Sequence, residues 1–512
     1  MTTFKSAVQK SELKGKTSTE NGDVTYKSSN DIVLDFFYKI GSSRGLNSTE
    51  SYHLFLKAYT DNPDLAFRAL LWLRDVREGA GERQLFRDIM SNLALHYPMV
   101  AKQLVHKIPE LGRWDDVLVL VGTTLETEAL MLIKQALLDG NGLCAKWMPR
   151  TKNKAKKIRK YQESNPDVAK KIREEQQKHN SFVHNLANKL AYSMNEYRKL
   201  VSSLSNTVEQ QMSSKEWEDI NYNQVPSRAS KIYSKAFLRN DESRYQQYLN
   251  DLTLGTEGVK INANAIFPHD VLGEMFSNYN DVIQVDSQQT QRIEAQWKAL
   301  PNYLTSDAKI LPVVDVSGSM FTDYFGGVKP IEVAISLGLY LSEKQSGPFQ
   351  NLVMTFDSNP QLIEMKGDSI TQKVHQLARI PWGQSTDLDK MYTELLTFSL
   401  KNKIKQSEMP EYIFIASDMQ FNGCMKNADV VVYKRMKAAF KDHGYDLPTI
   451  IFWNVSTKGG VPLKSDTPNT ALISGFSPSI LKSILNDPSD ITPMGVMLNI
   501  LNKERYNYEA YV

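Results

Sequence analysis

The amino-acid sequence predicts an all-α domain followed by an α/β domain built on a doubly wound, mainly parallel sheet. Two observations carry this prediction. From Asp31 to about Leu304, apolar residues recur at spacings of three and four, which is typical of amphipathic helices. From Lys309 onward, short continuous apolar runs alternate with helical stretches, the pattern of buried parallel strands covered by helices on both faces.

The length of the chain supports more than one domain. It has 512 residues, more than a single hydrophobic core usually organises. We expect a mobile N-terminal arm at 1–29, an all-α helical-repeat domain at 30–305 and an α/β domain at 306–512. The arm is predicted because its residues are mostly Thr, Ser, Lys and Asn, with few large apolar groups to offset the entropy cost of ordering.

The helical domain is predicted from amphipathic segments that follow one another with short breaks. Asn62-Pro63-Asp64 is a typical helix start, with proline in the first turn and an acid near the positive end of the helix dipole. Gly79-Ala80-Gly81 interrupts the next helix. Serial helices with short turns indicate a HEAT-like layered array. The first three helical segments are IVLDFFYKI, ESYHLFLKAYT and LAFRALLWLRDVR.

The α/β domain is predicted from short apolar runs rich in β-branched and aromatic residues, most of them followed by a helical stretch. In order, the predicted strands are ILPVVDV, NLVMTFD, QLIEM, EYIFIAS, PTIIFWNV and ALISG.

Composition and termini place the protein among soluble intracellular proteins. The two cysteines, Cys144 and Cys424, lie in different predicted domains, so we expect neither a disulfide framework nor a cysteine-based zinc site. The N-terminus lacks the apolar core of a signal peptide, and no run approaches the roughly 18 apolar residues of a membrane span. We therefore expect a soluble, cytoplasmic, monomeric protein that does not bind membranes.

The first predicted strand ends in the motif D-x-S-x-S, formed by Asp315, Ser317 and Ser319. The carboxyl ends of parallel strands are where open α/β sheets bind ligands. A loop leaving such a strand can direct several oxygens to one point, and hard divalent cations prefer oxygen ligands. The motif therefore predicts one edge of a cation site.

Two later loops can complete this site. PWGQSTDLDK offers Ser385, Thr386 and Asp387 before a helix, and EYIFIASDMQF delivers Ser417 and Asp418 at the end of a buried strand. Carboxylates and hydroxyls from three loops suit Mg²⁺ or Mn²⁺, with water completing the octahedron. The alternative is a domain without metal in which these side chains only cap helices and turns.

With these three loops in order, residues 309–502 resemble the von Willebrand factor A domain with its metal-ion-dependent adhesion site. The third loop reads SDMQ, where that family commonly has T/S-D-G. The resemblance implies that the two serines and the threonine touch the metal and that the two aspartates often act through water. The implied metal set is Asp315, Ser317, Ser319, Thr386 and Asp418.

The order of motifs across residues 30–502 resembles the Ro ribonucleoprotein (TROVE) architecture, and in detail the related helical-plus-A-domain proteins of eukaryotes and viruses. The resemblance implies helical repeats in a ring closed by the A domain, with RNA ends entering the hole and structured RNA on a basic outer surface. The motifs that carry it are RALLWLRDVREGAGERQLFRDI, GRWDDVLVL, CAKWMPR, NEYRKLVSSL and VPSRASKIY.

A basic segment within the helical domain is a candidate RNA contact. KWMPRTKNKAKKIRK holds eight basic residues and no acid, with Trp147 inside it and Tyr161 after it as stacking surfaces. Phosphate neutralisation and stacking are the two needs of single-strand binding. A solvated, charge-rich connection between helices is the competing interpretation. The predicted contacts are Lys146, Arg150, Lys152, Lys154, Lys156, Lys157, Arg159 and Lys160.

Arg83 and Arg87 are further RNA candidates, because they follow the Gly-rich turn, where a helix start could present backbone N–H groups to a phosphate. Salt bridges between the arginines around this turn and Asp75, Glu78 or Asp88 are an equally good interpretation. Farther along, Arg228, Lys231 and Lys235 could extend a basic wall or could be ordinary helix-surface residues.

Signatures of catalysis are poor. The sequence has no P-loop, no H-E-x-x-H and no G-x-S-x-G motif, and its histidines are scattered. A nuclease that uses two metal ions would need ligands for both, and the D-x-S-x-S site provides ligands for one ion. We therefore expect no catalysis, and the resemblance to Ro proteins together with the basic segment leads us to expect a Ro-like RNA-binding protein. The alternative is a scaffold whose metal site captures a carboxylate from a protein partner.

Overall fold

The computed structural model describes most of the chain. The described residues are 16–18, 24–26, 28–41, 48–162, 164–264, 266–276, 284–304, 309–321, 328–357, 359–380, 386–419, 429–456, 461–462, 464–486 and 491–508. They divide into two compact units. The first contains residues 1–86 and 221–507, and the second contains 87–220 and 508–512. The part predicted to be all-α thus contributes residues to both units.

The first unit is built around a six-stranded sheet whose strands follow the predicted apolar runs. Across the sheet the strands are, in order, β5 (Leu362–Glu364), β4 (Leu352–Phe356), β3 (Ile310–Asp315), β6 (Tyr412–Ser417), β7 (Thr449–Asn454) and β8 (Thr470–Ser474). Strand β5 is antiparallel to its neighbour, and all other neighbours are parallel. This confirms an α/β part after a helical part.

The central strands have no polar face, which explains their continuous apolar sequences. Every residue of β3 and β6 is buried, because helices cover both sides of the sheet. One flanking helix, Pro330–Lys344, approaches β3 so closely that a Cβ atom on Gly338 would overlap Cγ2 of Val314. Glycine at this position therefore sets the distance between helix and sheet.

Helices before, between and after the strands complete the first unit. Before the sheet lie α1 (Ile32–Ile40), α2 (Ser48–Asp61), α3 (Pro63–Arg74), α14 (Ser227–Asn240), α15 (Glu242–Leu254), α16 (Pro268–Leu272) and α17 (Ser287–Lys298). Between and after the strands lie α18 (Pro330–Lys344), α19 (Ile370–Ala378), α20 (Leu388–Lys401), α21 (Asp429–Asp442), α22 (Ile480–Asn486) and α23 (Pro493–Leu501).

A buried carboxylate joins the early helices of this unit to its last residues. Asp75, fully buried after α3, accepts hydrogen bonds from the guanidinium of Arg505 and, at 3.1 Å, from the hydroxyl of Tyr506. Nearby, Lys503 pairs with Glu78 at 3.2 Å. Gly79 permits the tight turn after α3, because a Cβ atom there would overlap the carbonyl oxygen of Trp72.

The second unit is helical in all of its described residues, apart from turns and connections. The helix that begins at Gln84 crosses from the first unit into this one. The elements are α4 (Gln84–His96), α5 (Pro98–Lys102), α6 (Lys107–Leu111), α7 (Trp114–Val117), α8 (Glu126–Leu138), α9 (Gly142–Trp147), α10 (Ala155–Gln162), α11 (Pro166–Lys189), α12 (Met194–Leu204) and α13 (Val208–Ser214).

Described parts of the predicted N-terminal arm have regular structure. Strands β1 (Lys16–Ser18) and β2 (Val24–Tyr26) pair in antiparallel fashion. Ser29 is buried, and its N–H donates to Asp35 Oδ1 at 2.8 Å while its carbonyl oxygen accepts from Ser465 N at 3.0 Å. The end of the arm is therefore fixed against the first unit. None of the helices in the described part of the chain has the length and apolarity needed to cross a membrane.

Candidate functional site

The candidate cation site lies where the strand order of the sheet reverses. The chain runs outward from β3 through β4 to β5 and then returns to the other side of β3 with β6. The carboxyl ends of β3 and β6 therefore flank the switch point, the position at which open α/β sheets form a ligand crevice. Asp315 ends β3, and Ser417 ends β6. The sheet thus brings the first and third predicted loops together.

Asp315 is the centre of this arrangement. It is fully buried; its Oδ1 accepts from the Ser317 N–H at 2.9 Å, and its Oδ2 accepts from the Ser417 hydroxyl at 2.5 Å. Burial, reinforced by the negative charge of Asp418, raises the pKa of the Asp315 carboxyl well above its ordinary value, although the hydrogen bonds from the two serines oppose this shift. Two buried carboxylates therefore repel each other at the carboxyl edge.

The two motif serines lie in the turn that follows β3. The hydroxyl oxygens of Ser317 and Ser319 are 3.1 Å apart, within a segment that includes a short 3₁₀ turn at Gly318–Phe321. Ser317 is buried and Ser319 is half-buried. The D-x-S-x-S spacing thus groups one carboxylate and two hydroxyls.

The third loop has an unusual backbone conformation at the residue that follows Asp418. Met419, which follows Asp418, has a φ of 61°, in the left-handed region that glycine adopts most easily. Its N–H donates to the Ser417 hydroxyl at 3.1 Å, and its side chain is buried in the core beside the sheet. Met419 therefore has a backbone conformation that glycine adopts most easily, and the neighbouring Asp418 is fully buried.

In the second loop, Thr386 is buried and lies two residues before α20. Its neighbour Asp387 is the N-cap of that helix and accepts from the Lys390 N–H at 3.1 Å. Asp387 therefore has a capping role, as the metal-free interpretation expected for this type of residue. Ser385 lies outside the described residues.

The donor set fits a hard cation. Carboxylate and hydroxyl oxygens are the ligands that Mg²⁺ and Mn²⁺ prefer, and a positive charge would relieve the repulsion between Asp315 and Asp418. Across the described ranges, no group of three or more His, Cys, Asp and Glu side chains could hold a metal. A cation here would consequently depend on the hydroxyls as much as on the carboxylates.

Sequence reasoning missed two polar residues at the same edge of the sheet. Asp357 follows β4 and accepts from the Asn359 N–H at 2.7 Å, and Asn454 ends β7 and accepts from the Ser456 N–H at 3.0 Å. Both are buried. Their signal is the same as that of Asp315, an Asp or Asn directly after an apolar run, in TFDSN and FWNVS.

The predicted RNA-binding segment forms an exposed part of the second unit. Helix α10 has no buried residue, and its cations Lys156, Lys157, Arg159 and Lys160 are all exposed. In the stretch before it, Arg150 and Lys152 are exposed, whereas Lys146 and Lys154 are half-buried.

Side chains of α11 and α12 hold the stretch between α9 and α10 in place. The Asn180 side chain accepts from Lys152 N at 2.8 Å and donates to Lys152 O at 3.0 Å, and Gln176 accepts from Lys154 N at 2.6 Å. The Tyr197 hydroxyl donates to the carbonyl oxygen of Pro149 at 3.0 Å. This backbone is therefore fixed independently of its basic side chains.

Some of the predicted RNA-binding side chains already interact with other side chains of the protein. Arg150 donates to the Ser205 hydroxyl at 2.5 Å, and Lys154 pairs with Glu175 at 3.3 Å. The guanidinium carbon of Arg113 lies 3.8 Å from the ring centroid of Trp147, so one face of the expected stacking surface is covered. Lys152 and the α10 cations remain as the accessible part of the segment.

Arg83 and Arg87 have different environments. Arg83 is exposed in the first unit, whereas Arg87 in the second unit forms ion pairs with Asp115 at 2.8 Å and Asp116 at 2.7 Å. The salt-bridge interpretation therefore applies to Arg87, although with partners that sequence proximity did not suggest.

Comparisons with known proteins cover both parts of the chain. Residues 309–498 match the family described as "Domain of unknown function (DUF7788)". "Uncharacterized protein L728" of Acanthamoeba polyphaga mimivirus is 28% identical over 539 aligned residues, which cover 94% of this chain and 86% of that protein. A crystal structure of the Deinococcus radiodurans Ro (RSR) protein aligns over 93% of this chain and 100% of that chain, with 12% identity and a TM-score of 0.35, which is too low to establish a shared fold.

The family described as "Domain of unknown function (DUF2828)" matches the helical part, at residues 19–139 and 114–310. These overlapping segments span more than half of the chain, and the chain therefore belongs to the DUF2828 family.

Proposed function

We propose that this protein is a non-catalytic RNA-binding protein whose basic segment contacts the phosphate backbone. The observation that carries the proposal is helix α10. It contains four exposed cations within eight residues, no acid and no buried side chain. A helix with this composition gains little from packing, and its surface is suited to a polyanion.

The surroundings of α10 support nucleic acid over a purely solvated helix. A shallow, open surface lies along the neighbouring helix α11, and its polar side chains can form hydrogen bonds with bases or phosphates. It is lined by Arg173, Gln176, Gln177, Asn180, Ser181 and His184. Two of these, Gln176 and Asn180, also hold the backbone of the basic segment.

The order of sequence motifs supports a Ro-like assignment, with HEAT-like helical repeats and a von Willebrand factor A-like domain. The strand order with a single antiparallel strand β5 at one edge is compatible with that domain. On this proposal the RNA is structured or misfolded RNA, or the end of an RNA chain, and the protein acts in the cytoplasm.

The A-like domain is proposed to bind Mg²⁺ or Mn²⁺ at the carboxyl edge of the sheet. Ser317, Ser319 and Thr386 would hold the ion directly, and Asp315 and Asp418 would hold it directly or through water. A bound ion would supply an open coordination position for an anionic oxygen of a partner. Asp315 keeps its orientation through Ser417, whose hydroxyl donates to it.

The test is RNA binding by a variant in which Lys156, Lys157, Arg159 and Lys160 are changed to alanine. Alanine favours helix formation, and no packing is lost because these side chains are exposed. Since each single-strand phosphate contact contributes about 0.7 to the slope of log affinity against log salt, we expect that slope to fall by about 3 and the affinity at about 0.1 M salt to fall several hundredfold.

A matched control removes four exposed lysines from the first unit by alanine substitution. These are Lys366, Lys401, Lys437 and Lys441. The control should bind RNA within about threefold of the unmodified protein. Nucleic-acid-free protein that fails to bind single-stranded RNA at low salt, or an α10 variant that binds as well as the control, would refute the proposal.

A second candidate function is a scaffold whose cation site captures a carboxylate from a protein partner. It is favoured by the position of Asp315 and Asp418 at the switch point of the sheet, in a different unit from α10. If it holds, Asp315→Ala or chelation abolishes a protein complex recovered by pull-down and leaves RNA affinity unchanged. A complex that survives both treatments would exclude this function.

A further inference from the structure

Helix α14 carries a second concentration of basic residues, in the first unit. Its sequence, SRASKIYSKAFLRN, holds four cations and no acid. Arg228, Lys235 and Arg239 are exposed and separated by seven and four residues, so they form one line along the helix. The buried face is formed by Ser227, Ala229, Ser230 and Phe237.

The fourth cation of this helix, Lys231, is half-buried, and its positive charge is balanced by a nearby carboxylate. Lys231 Nζ donates to the carbonyl oxygen of Asp270 at 2.6 Å and lies 3.6 Å from Glu274. By contrast, Arg228, Lys235 and Arg239 make no ion pair with a described acid. The carboxylate that follows the helix, Asp241, accepts a hydrogen bond from the Tyr222 hydroxyl at 2.7 Å and forms an ion pair with Arg244 at 2.9 Å.

The helix that presents this line is firmly anchored. Phe237 packs against Tyr222 and Tyr245, with ring centroids 5.3 Å away in each case. The Gln296 amide donates to the carbonyl oxygen of Ser227 at 3.0 Å at the other end of the helix. Because the backbone is fixed, binding a ligand along the line requires the ordering of side chains only.

We propose that the exposed line of Arg228, Lys235 and Arg239 is a second phosphate-binding surface for RNA. This inference rests on the proposed RNA-binding function. At 1.5 Å per residue the line is about 16 Å long, which corresponds to about five nucleotides of a stacked strand at 3.4 Å each. Contacts of this kind bind the RNA backbone and read no sequence.

The chemistry of the line favours RNA over an acidic protein. Protein interfaces need a packed apolar or aromatic centre. Along this face of α14 the single large apolar side chain with high exposure is Ile232, at 60%. An isolated exposed isoleucine is common on protein surfaces and offers no such centre. Three uncompensated cations in a row match a polyanion instead.

The test is the variant Arg228→Gln, Lys235→Gln, Arg239→Gln in the full-length protein, with a fluorescein-labelled single-stranded RNA of mixed sequence as the probe. Loss of three contacts should lower the slope of log affinity against log salt by about 2 and should weaken binding at about 0.1 M salt by about 100-fold. The matched control is Lys401→Gln, Lys437→Gln, Lys441→Gln, which should remain within about threefold of the unmodified protein.

The outcomes separate this inference from the proposed function. If the α10 variant loses RNA binding and the α14 variant does not, the inference is wrong and the proposed function stands. If neither variant loses binding, both fail. An α14 variant that retains RNA but loses binding to polyglutamate would also overturn the inference, because the line would then serve an acidic protein. The single variant Lys235→Glu, which leaves the buried face intact, should weaken RNA binding more than Lys235→Gln does.

Discussion

Glu332 offers a test of the electrostatics in the first unit. It lies in the first turn of α18 with only 9% of its surface exposed. Burial raises the pKa of its carboxyl to about 7 from an ordinary value of 4.5, although Lys329 and Lys231 oppose the shift. Because the folded-state pKa is the higher one, the folded protein binds a proton that the unfolded chain releases between about pH 4.5 and 7. Stability is therefore lost as the pH rises through this window.

The size of this loss follows from the shift. At 1.36 kcal/mol per pK unit, and relative to a side chain that stays neutral, the titration of Glu332 lowers stability by about 3 kcal/mol at about pH 8 and by about 1 kcal/mol at about pH 5. Glu332→Gln keeps the shape and removes the titration. We therefore expect the variant to be more stable than the unmodified protein by these amounts.

The assay is the thermal unfolding midpoint of both proteins at the two pH values. For a unit of about 370 residues, 3 kcal/mol corresponds to a midpoint rise of about 4 °C at the higher pH. The advantage of the variant should shrink to about 1 °C at the lower pH. A variant less stable than the unmodified protein at about pH 8 would refute the reasoning, because Glu332 would then be a stabilising ionised partner of Lys231 and Lys329.

Three further predictions concern the core, the buried ion pair and the cation site. Gly338→Ala should lower stability by about 1–3 kcal/mol in chemical denaturation, since the added methyl group overlaps Val314; a neutral result would mean that α18 can move away from β3. Asp75→Ala should lower the free energy of unfolding by about 3–5 kcal/mol, because it leaves the Arg505 guanidinium without its carboxylate partner. As a control, removal of the exposed Asp64, which pairs with Arg68, should lower it by less than about 1 kcal/mol. Equal losses for the two variants would contradict this account. Mg²⁺ at about 100 times its dissociation constant should stabilise the protein by about 2.7 kcal/mol, and Asp315→Ala should abolish that gain; a Mg²⁺ response that survives the substitution would place the ion elsewhere.

The strands and the first loop of the candidate site could be predicted because their signals are local. An apolar run that ends in Asp315 identifies both a buried strand and the residue at its carboxyl end. The order of the strands brings Ser417 to the same carboxylate, and the hydrogen bond between them joins residues 102 positions apart. Periodicity predicts that both strands exist, whereas neighbours across the sheet depend on the topology of the whole domain.

Other features could not be predicted because their causes are distant in sequence. Asp75 and Arg87 were expected to pair within their own segment, yet their partners are Arg505 for the first and Asp115 and Asp116 for the second. Charged side chains carry no periodic signal for long-range pairing. The left-handed backbone at Met419 could not be predicted either, because a methionine in the sequence does not indicate the glycine-like conformation that the surrounding turn imposes on it.

The pairing of Asp75 with Arg505 constrains when the first unit can complete its structure during synthesis. The two residues are 430 positions apart, and the ribosome adds about 5–20 residues per second, so the aspartate is made about 20–90 s before its partner. Throughout that interval α1 to α3 lack two of their neighbours, β8, whose Ser474 hydroxyl donates to the carbonyl oxygen of Phe37, and the segment around Arg505. The nascent chain therefore exposes apolar helices until Arg505 has been made, and we expect it to depend on chaperones during that time.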